Sequence, residues 1–390
     1  MKKLNLIGII LFASSIFTSC SNTKMAFNLN EIERSRVLEN ADLYLNESPV
    51  TVTNSLCKRS AGSNHDFYSE GDYWWPDEKN LDGPYIRKDG FTNPANFTAH
   101  REALIRFSQI SGALASAYVL TKDEKYAKLL ALHLQAWFVN QETNMNPNLL
   151  YAQAIKGVAT GRGIGIIDTV HLVEVTKAIA AIENSKSLSK ADLNSIKAWF
   201  SNYLIWITTH EYGISERDNG NNHSVCWTMQ VAAFASLIKD EKTMDFCRNF
   251  YKTTLLQNQM DKDGSFPLEL KRTKPYGYSL FNLDAMSSIC QILSTKDDNL
   301  FTYTTTDGRN IKLGLQFMFP YIENKSLWPY QHDVMYWDEW PVRQSSLLFG
   351  GLAYNNNKYL ALWKSLNSNF TTPEIIRNMP VRYPILWVLN

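Results

Sequence analysis

The chain has 390 residues, with 39 Lys and Arg against 38 Asp and Glu, and a formal net charge of +1. That balance excludes a generally basic nucleic-acid-binding protein, so a polyanionic partner would need positive charge gathered in one groove. The five cysteines include no CxxC pair and no zinc-ligand spacing, which leaves disulfide pairing open and supplies no metal site.

In chain order, Lys2 and Lys3 precede an apolar stretch from Leu4 to Phe17, and small residues follow up to Cys20. This is the pattern of a secretion signal. Phe17-Thr18-Ser19-Cys20 resembles a bacterial lipobox, which implies cleavage before Cys20 and lipidation of it. The stretch falls short of the roughly 20 apolar residues of a spanning helix, and no later segment is expected to span a membrane. The expected product is an exported periplasmic or outer-membrane lipoprotein, anchored only through Cys20. No acidic cluster follows in Ser21-Asn22-Thr23-Lys24, which favours an anchor facing the periplasm. Removing residues 1–19, with two lysines and no acid, leaves 371 residues and 37 basic against 38 acidic side chains.

Residues 20–60 read as a tether with a first helix, and 61–390 as one helical domain. Apolar positions recur at a spacing near 3.6 over 101–120, 123–139, 166–183, 189–209, 224–238, 240–259, 279–295, 309–319, 343–354 and 357–366, the period of helices with one buried face. Ser189 and Asn222 are expected N-caps. Short extended pieces are expected only near 50–56 and 380–389. So many successive helices without long heptads predict an all-α fold, an incomplete (α/α) toroid of paired antiparallel helices. The segments 62–98, 140–165, 260–278 and 320–342 are long and rich in aromatic residues, Gly, Asn and Pro, and such loops usually carry function. Cys226 and Cys290 fall in apolar helical contexts, as buried thiols do.

Two short pieces hold the chemistry: Asn221-Asn222-His223-Ser224, and Arg272 followed six residues later by Tyr278. Each lies where a helix begins, a place that favours bound anions. An amide, an imidazole, a guanidinium and a phenol suit removal of a proton beside a carboxylate, as in β-elimination of a uronic acid polymer. Hydrolysis of a glycoside ordinarily requires two carboxyl groups. Lys271 and Lys274 add cations beside Tyr276 and Tyr278. The Gly161-x-Gly163-x-Gly165 run lacks the dinucleotide-binding spacing and reads as a tight bend. No cofactor is called for.

Several blocks in order, over roughly residues 65–345, resemble the alginate lyase superfamily, closer to polysaccharide lyase family 38 than to family 5. They are Trp74-Trp75-Pro76-Asp77, Pro84 to Gly90, Asn93-Pro94, Met145 to Asn148, Tyr151-Ala152-Gln153, Gly161 to Asp168, Asn221 to Ser224 with Trp227, Glu269 to Thr273, and Tyr278 to Leu283. Arg272 and Tyr278 stand one residue closer together than in family 5. The resemblance implies an incomplete (α/α) toroid with a groove for alginate or glucuronan. It also implies roles: Asn222 and Arg272 neutralise the carboxylate at the cleavage subsite, and Tyr278 acts on the C5 proton and the leaving O4. His223 assists or serves as the alternative base, and Arg272 and Lys274 are expected to lower the pKa of the Tyr278 phenol. One tyrosine can serve mannuronate or glucuronate, whose C5 hydrogen and O4 share a face, whereas guluronate needs two groups. Trp74, Trp75, Tyr85, Arg87, Asn146, Asn148, Tyr151, Gln153, Arg162 and Lys274 are the expected substrate-binding residues.

Two other readings stand beside this one. A helical-toroid glycoside hydrolase would need two acids from among Asp72, Asp77, Asp89 and Asp168. A lipid-anchored glycan-binding protein would need neither a positioned imidazole nor a positioned phenol.

Overall fold

The computed structural model describes residues 27–388; the signal segment and Cys20 lie outside the described residues. The first half of the helices comprises α1 (Leu29–Leu43), α2 (Ala99–Thr121), α3 (Glu124–Phe138), α4 (Leu172–Ile182), α5 (Lys190–Thr209), α6 (Glu211–Arg217) and α7 (Asn222–Ile238). The rest are α8 (Glu241–Phe250), α9 (Leu256–Gln259), α10 (Pro267–Leu270), α11 (Pro275–Leu293), α12 (Ile311–Glu323), α13 (Ser345–Ala353), α14 (Asn357–Ser365) and α15 (Pro373–Arg377). A π-turn over Tyr251–Leu255 joins α8 to α9, so the single helix expected there is continuous with one widened turn.

The connections explain the pairing. Lys122-Asp123 joins α2 to α3, and Lys239-Asp240 joins α7 to α8. In both, the lysine closes its helix in the left-handed region, at φ 58° and 62°. The following aspartate caps the next helix, accepting from Lys125 N at 2.9 Å and from Thr243 N at 3.1 Å. A two-residue link reverses the chain and makes each pair an antiparallel hairpin.

Helices α2, α4, α7, α11 and α13 pack side by side as an inner row, with α1, α3, α5, α8, α12 and α14 against its outer side. Inner helices have neighbours on both flanks, so they are apolar nearly all round: most residues of α7 and α11 are buried. The ends of the row meet where Arg343 pairs with Glu33 of α1 at 2.5 Å and Phe27 packs edge-on against Trp363 of α14. The turn Pro384–Leu386 lies against α1, α2 and α4. This is the incomplete (α/α) toroid.

Four details differ from the sequence reading. The regions near 50–56 and 380–389 hold 3-10 turns, Val52–Asn54 and Pro384–Leu386. The strands lie instead in the loops: β1 (Tyr68–Glu70) runs parallel to β4 (Tyr151–Ala154), and β2 (Trp74–Trp75) antiparallel to β3 (Ile86–Arg87). A 3-10 stretch, Gly163–Thr169, precedes α4, because a Cβ at Gly165 would come within 2.5 Å of the Ala152 Cβ on β4. Finally, the 23-residue α2 is long and apolar enough to cross a membrane; its apolarity serves its place in the inner row. Among the described residues the cysteines are free, with Cys226 and Cys290 buried as expected.

Candidate active site

The N-termini of α7 and α11, the β2–β3 loop, β4 with the stretch after it, and α15 surround an open groove of about 910 Å³. Two helices direct their N-termini at one groove, and their positive dipole ends favour anionic ligands there, although the first-turn N–H groups are themselves taken by Glu269, Asn221 and Asp333.

Asn221, one residue before the expected position, is the cap of α7: its Oδ1 accepts from His223 N at 2.9 Å. This frees the side chain of Asn222, which is buried in the first turn. Its Nδ2 and backbone N both donate to Glu269 of α10, at 2.7 and 2.9 Å. Burial pushes the Glu269 carboxyl up despite those two donors. His223 is held from the other side, its Nδ1 lying 2.6 Å from Oε1 of the fully buried Glu216 on α6. A carboxylate at Nδ1 fixes the proton there and leaves Nε2, unpartnered among the described residues, as an acceptor lining the groove.

At the start of α11, Arg272 donates from Nη2 to the Tyr278 hydroxyl at 3.2 Å, and its guanidinium carbon stands 4.3 Å from the centre of that ring. The same Nη2 reaches Asp89 at 3.2 Å, and Nε lies 3.4 Å from the second Asp89 oxygen. Nη1 has no partner among the described residues. Burial would raise the Asp89 carboxyl, but the Arg272 and Arg87 donors outweigh it and hold it below the usual range. Tyr278 also shares a 2.7 Å hydrogen bond with the Tyr73 hydroxyl. Burial, and Tyr73 next, push the Tyr278 phenol well above its ordinary value, against the opposing pull of Arg272. The sequence reading expected the neighbouring cations to lower it; removal from water is the stronger effect here.

Of the expected substrate-binding residues, Trp74, Arg87, Gln153 and Arg162 line the groove. Arg162 lies over Trp74 at 5.7 Å and donates to the Gln153 carbonyl at 2.8 Å. It has no carboxylate partner among the described residues, and burial together with Arg87 brings its pKa down to about 10. Lys274 is corrected: it is buried with its ammonium on Glu374 at 2.5 Å, away from the groove lining. Asn146 donates to Asp66 at 2.8 Å and so ties its loop to the 62–98 segment, and Asn148 accepts from Leu150 N at 3.2 Å within its own loop. Tyr151 packs against Gly62. Trp75 donates to the Phe91 carbonyl at 2.8 Å, and Tyr85 lies beneath the Lys156 ammonium at 5.7 Å; both stand outside the groove lining.

The aspartates that a hydrolase would need are committed elsewhere. Burial would raise Asp72, but Arg101 at 2.8 Å and Arg377 at 3.0 Å hold it at about 2. Asp168 accepts from Ser69 and from Gln153, and the Asp77 carboxylate accepts from Lys79 N at 3.0 Å. A general acid must keep its proton near neutral pH, which Asp72 does not.

A family model described as alginate lyase matches residues 51–328. The chain belongs to the alginate lyase family. An alginate lyase from Bacteroides ovatus shares 32% identity at a TM-score of 0.80, over 92% of this chain and 94% of that one. At 14% identity the likeness extends to the fold of alginate lyase A1-III. The structure from Sphingomonas species A1 gives a TM-score of 0.54 over 91% and 94% of the two chains. A tetrasaccharide complex of A1-III gives 0.59 over 89% and 90%. No curated protein matches the chain.

Sequence reasoning did not find Tyr73, Glu216, Arg377 or Asn378 for this lyase groove. Tyr73 adjoins the Trp74-Trp75 block and could have been taken with it. The Pro373 that starts α15 at N1 was a legible helix signal, yet nothing local says that this short helix faces residues some 300 positions earlier.

Proposed function

We propose that the groove cleaves alginate by β-elimination with two groups carried by different helices: His223, in the first turn of α7, as base and Tyr278, in the first turn of α11, as acid. The enzyme is a polysaccharide lyase. The observation that carries the assignment is geometric. Nδ1 of His223 lies 2.6 Å from Oε1 of the buried Glu216, which leaves Nε2 as the acceptor for the groove. The Tyr278 hydroxyl sits between Arg272 at 3.2 Å and Tyr73 at 2.7 Å, where burial favours its protonated form. Nε2 takes the C5 proton, the C4–O4 bond breaks as C4=C5 forms, and the Tyr278 hydroxyl gives its proton to O4. The substrate carboxylate gains enolate character during this step. Nη1 of Arg272 and the second Nδ2 proton of Asn222 are the free donors placed to stabilise it. Arg162, a half-buried cation without a carboxylate partner among the described residues, would hold the carboxylate of a neighbouring uronate.

A separate base and acid suit guluronate, whose C5 hydrogen and O4 lie on opposite faces. Cleavage of mannuronate or glucuronan through Tyr278 alone would first require removal of its proton. Purified mature protein is therefore expected to raise ultraviolet absorbance, from unsaturated uronate ends, faster on polyguluronate than on polymannuronate or glucuronan. A preference for polymannuronate would overturn the two-group assignment in favour of Tyr278 alone.

We also propose that the chain is a lipoprotein anchored at Cys20, on the strength of its Lys2-Lys3 start, apolar run and lipobox-like Phe17 to Cys20. A Cys20→Ala variant is expected to leave the membrane fraction for the soluble one; retention in the membrane would refute the anchor.

A further inference from the structure

The C-terminal helix α15 lies beyond the residues that the family model matches, yet two of its side chains reach the wall behind Tyr278. Glu374, buried, meets the Lys274 ammonium at 2.5 Å, and its other oxygen lies 3.5 Å from Nε of Arg377. Arg377 continues to Asp72 at 3.0 Å, and Asp72 to Arg101 at 2.8 Å. The result is a row of alternating charge: Lys274, Glu374, Arg377, Asp72, Arg101.

Lys274 occupies a specific place at the head of that row. It precedes α11 by one residue, and the Tyr278 N–H donates to its carbonyl at 3.0 Å, so the two side chains share one helix face. Its ammonium stands 5.3 Å from the Tyr73 ring, 5.6 Å from the Tyr278 ring and 5.5 Å from the Tyr336 ring. An uncompensated ammonium at that range favours the tyrosinate form. The other charges near Tyr278 are Arg272, itself paired with Asp89, and Arg377 one step further along the row. His223 lines the same groove from the first turn of α7.

We infer that Glu374 is a positioning residue which, by neutralising Lys274, keeps the proton on Tyr278 that the leaving O4 receives. This rests on the reading of Tyr278 as the acid. A buried ion pair can be merely structural, so the test must read proton affinity rather than activity alone. The readout is kcat/KM against pH, which follows groups in the free enzyme. Wild type is expected to stay flat to the alkaline end of the measurable range. In Glu374→Gln, a falling alkaline limb should enter that range, moved down by about one to two pH units. Glu374→Asp, which retracts the carboxylate but keeps its charge, should move the limb the same way by less, and serves if the Gln variant fails to fold. The double variant Lys274→Met/Glu374→Gln removes both charges and should return the flat profile.

Folded, active Glu374 variants with a flat alkaline profile would overturn the inference and leave the lyase reading intact. A wild type without unsaturated product on any uronan would sink both.

Discussion

Tyr278→Phe is expected to lower the formation of unsaturated ends by about 10²–10⁴-fold, the range general acid–base catalysis supplies, with the fold retained. The substitution removes one hydroxyl and keeps the ring beneath the Arg272 guanidinium, so stacking survives. Two hydrogen bonds disappear, those to Tyr73 and Arg272. Both partners keep other surroundings: Arg272 remains on Asp89, and Tyr73 borders the open groove. The destabilisation should therefore stay near the roughly 1 kcal/mol of ordinary hydrogen bonds. What is lost is the proton donor for O4, which Lys274 cannot replace because it is buried against Glu374. Steady-state rates on polyguluronate, alongside thermal unfolding, separate the two effects. Activity within a few-fold of wild type, in a protein equally stable, would remove Tyr278 from the reaction.

The parts of this site that the sequence revealed are those whose partners lie within one turn of helix. Arg272 and Tyr278 belong to one block, and Asn222 and His223 to another, so the residue types and the following apolar period located both helix starts. The helices themselves were legible for the same reason: the inner ones bury nearly every side, and their lengths leave no other state. The one-residue error at Asn222 arose because two asparagines adjoin, and either could cap; only the Glu269 carboxylate, 47 positions away, decides which one turns inward. Glu216 was invisible because α6 is seven residues long, too short to show a period. Lys274 was misread because a lysine beside an active tyrosine looks like a ligand until Glu374, 100 positions later, is seen to hold it. Asn146 and Asn148 fail for a related reason, since an asparagine in a loop caps backbone as readily as it binds a sugar. Residue type says what a side chain can do, and long-range packing says whether it is free to do it.

Arg272→Ala is expected to lower kcat by about 10²–10³-fold, the usual effect of removing a donor aimed at developing charge, with a smaller change in KM. Arg272 touches three things that the reaction needs in register. Its Nη2 meets the Tyr278 hydroxyl, Asp89 fixes the plane of the guanidinium, and Nη1, unpartnered among the described residues, is the donor assigned above to the substrate carboxylate. A carboxylate is charged before the C5 proton leaves, so part of the attraction is already present in the bound substrate and appears in KM. As the proton departs, charge builds on the carboxylate oxygens, and the added attraction lowers only the barrier. Arg272→Lys should recover little of the loss, because a single ammonium cannot bond Asp89, Tyr278 and substrate in one plane. The opposite split, KM raised with kcat untouched, would mean that Arg272 binds ground state and transition state alike. The charge relief would then fall to Asn222, whose amide is held in place by Glu269. A Glu269→Gln variant would in that case carry the loss in kcat that Arg272→Ala lacks.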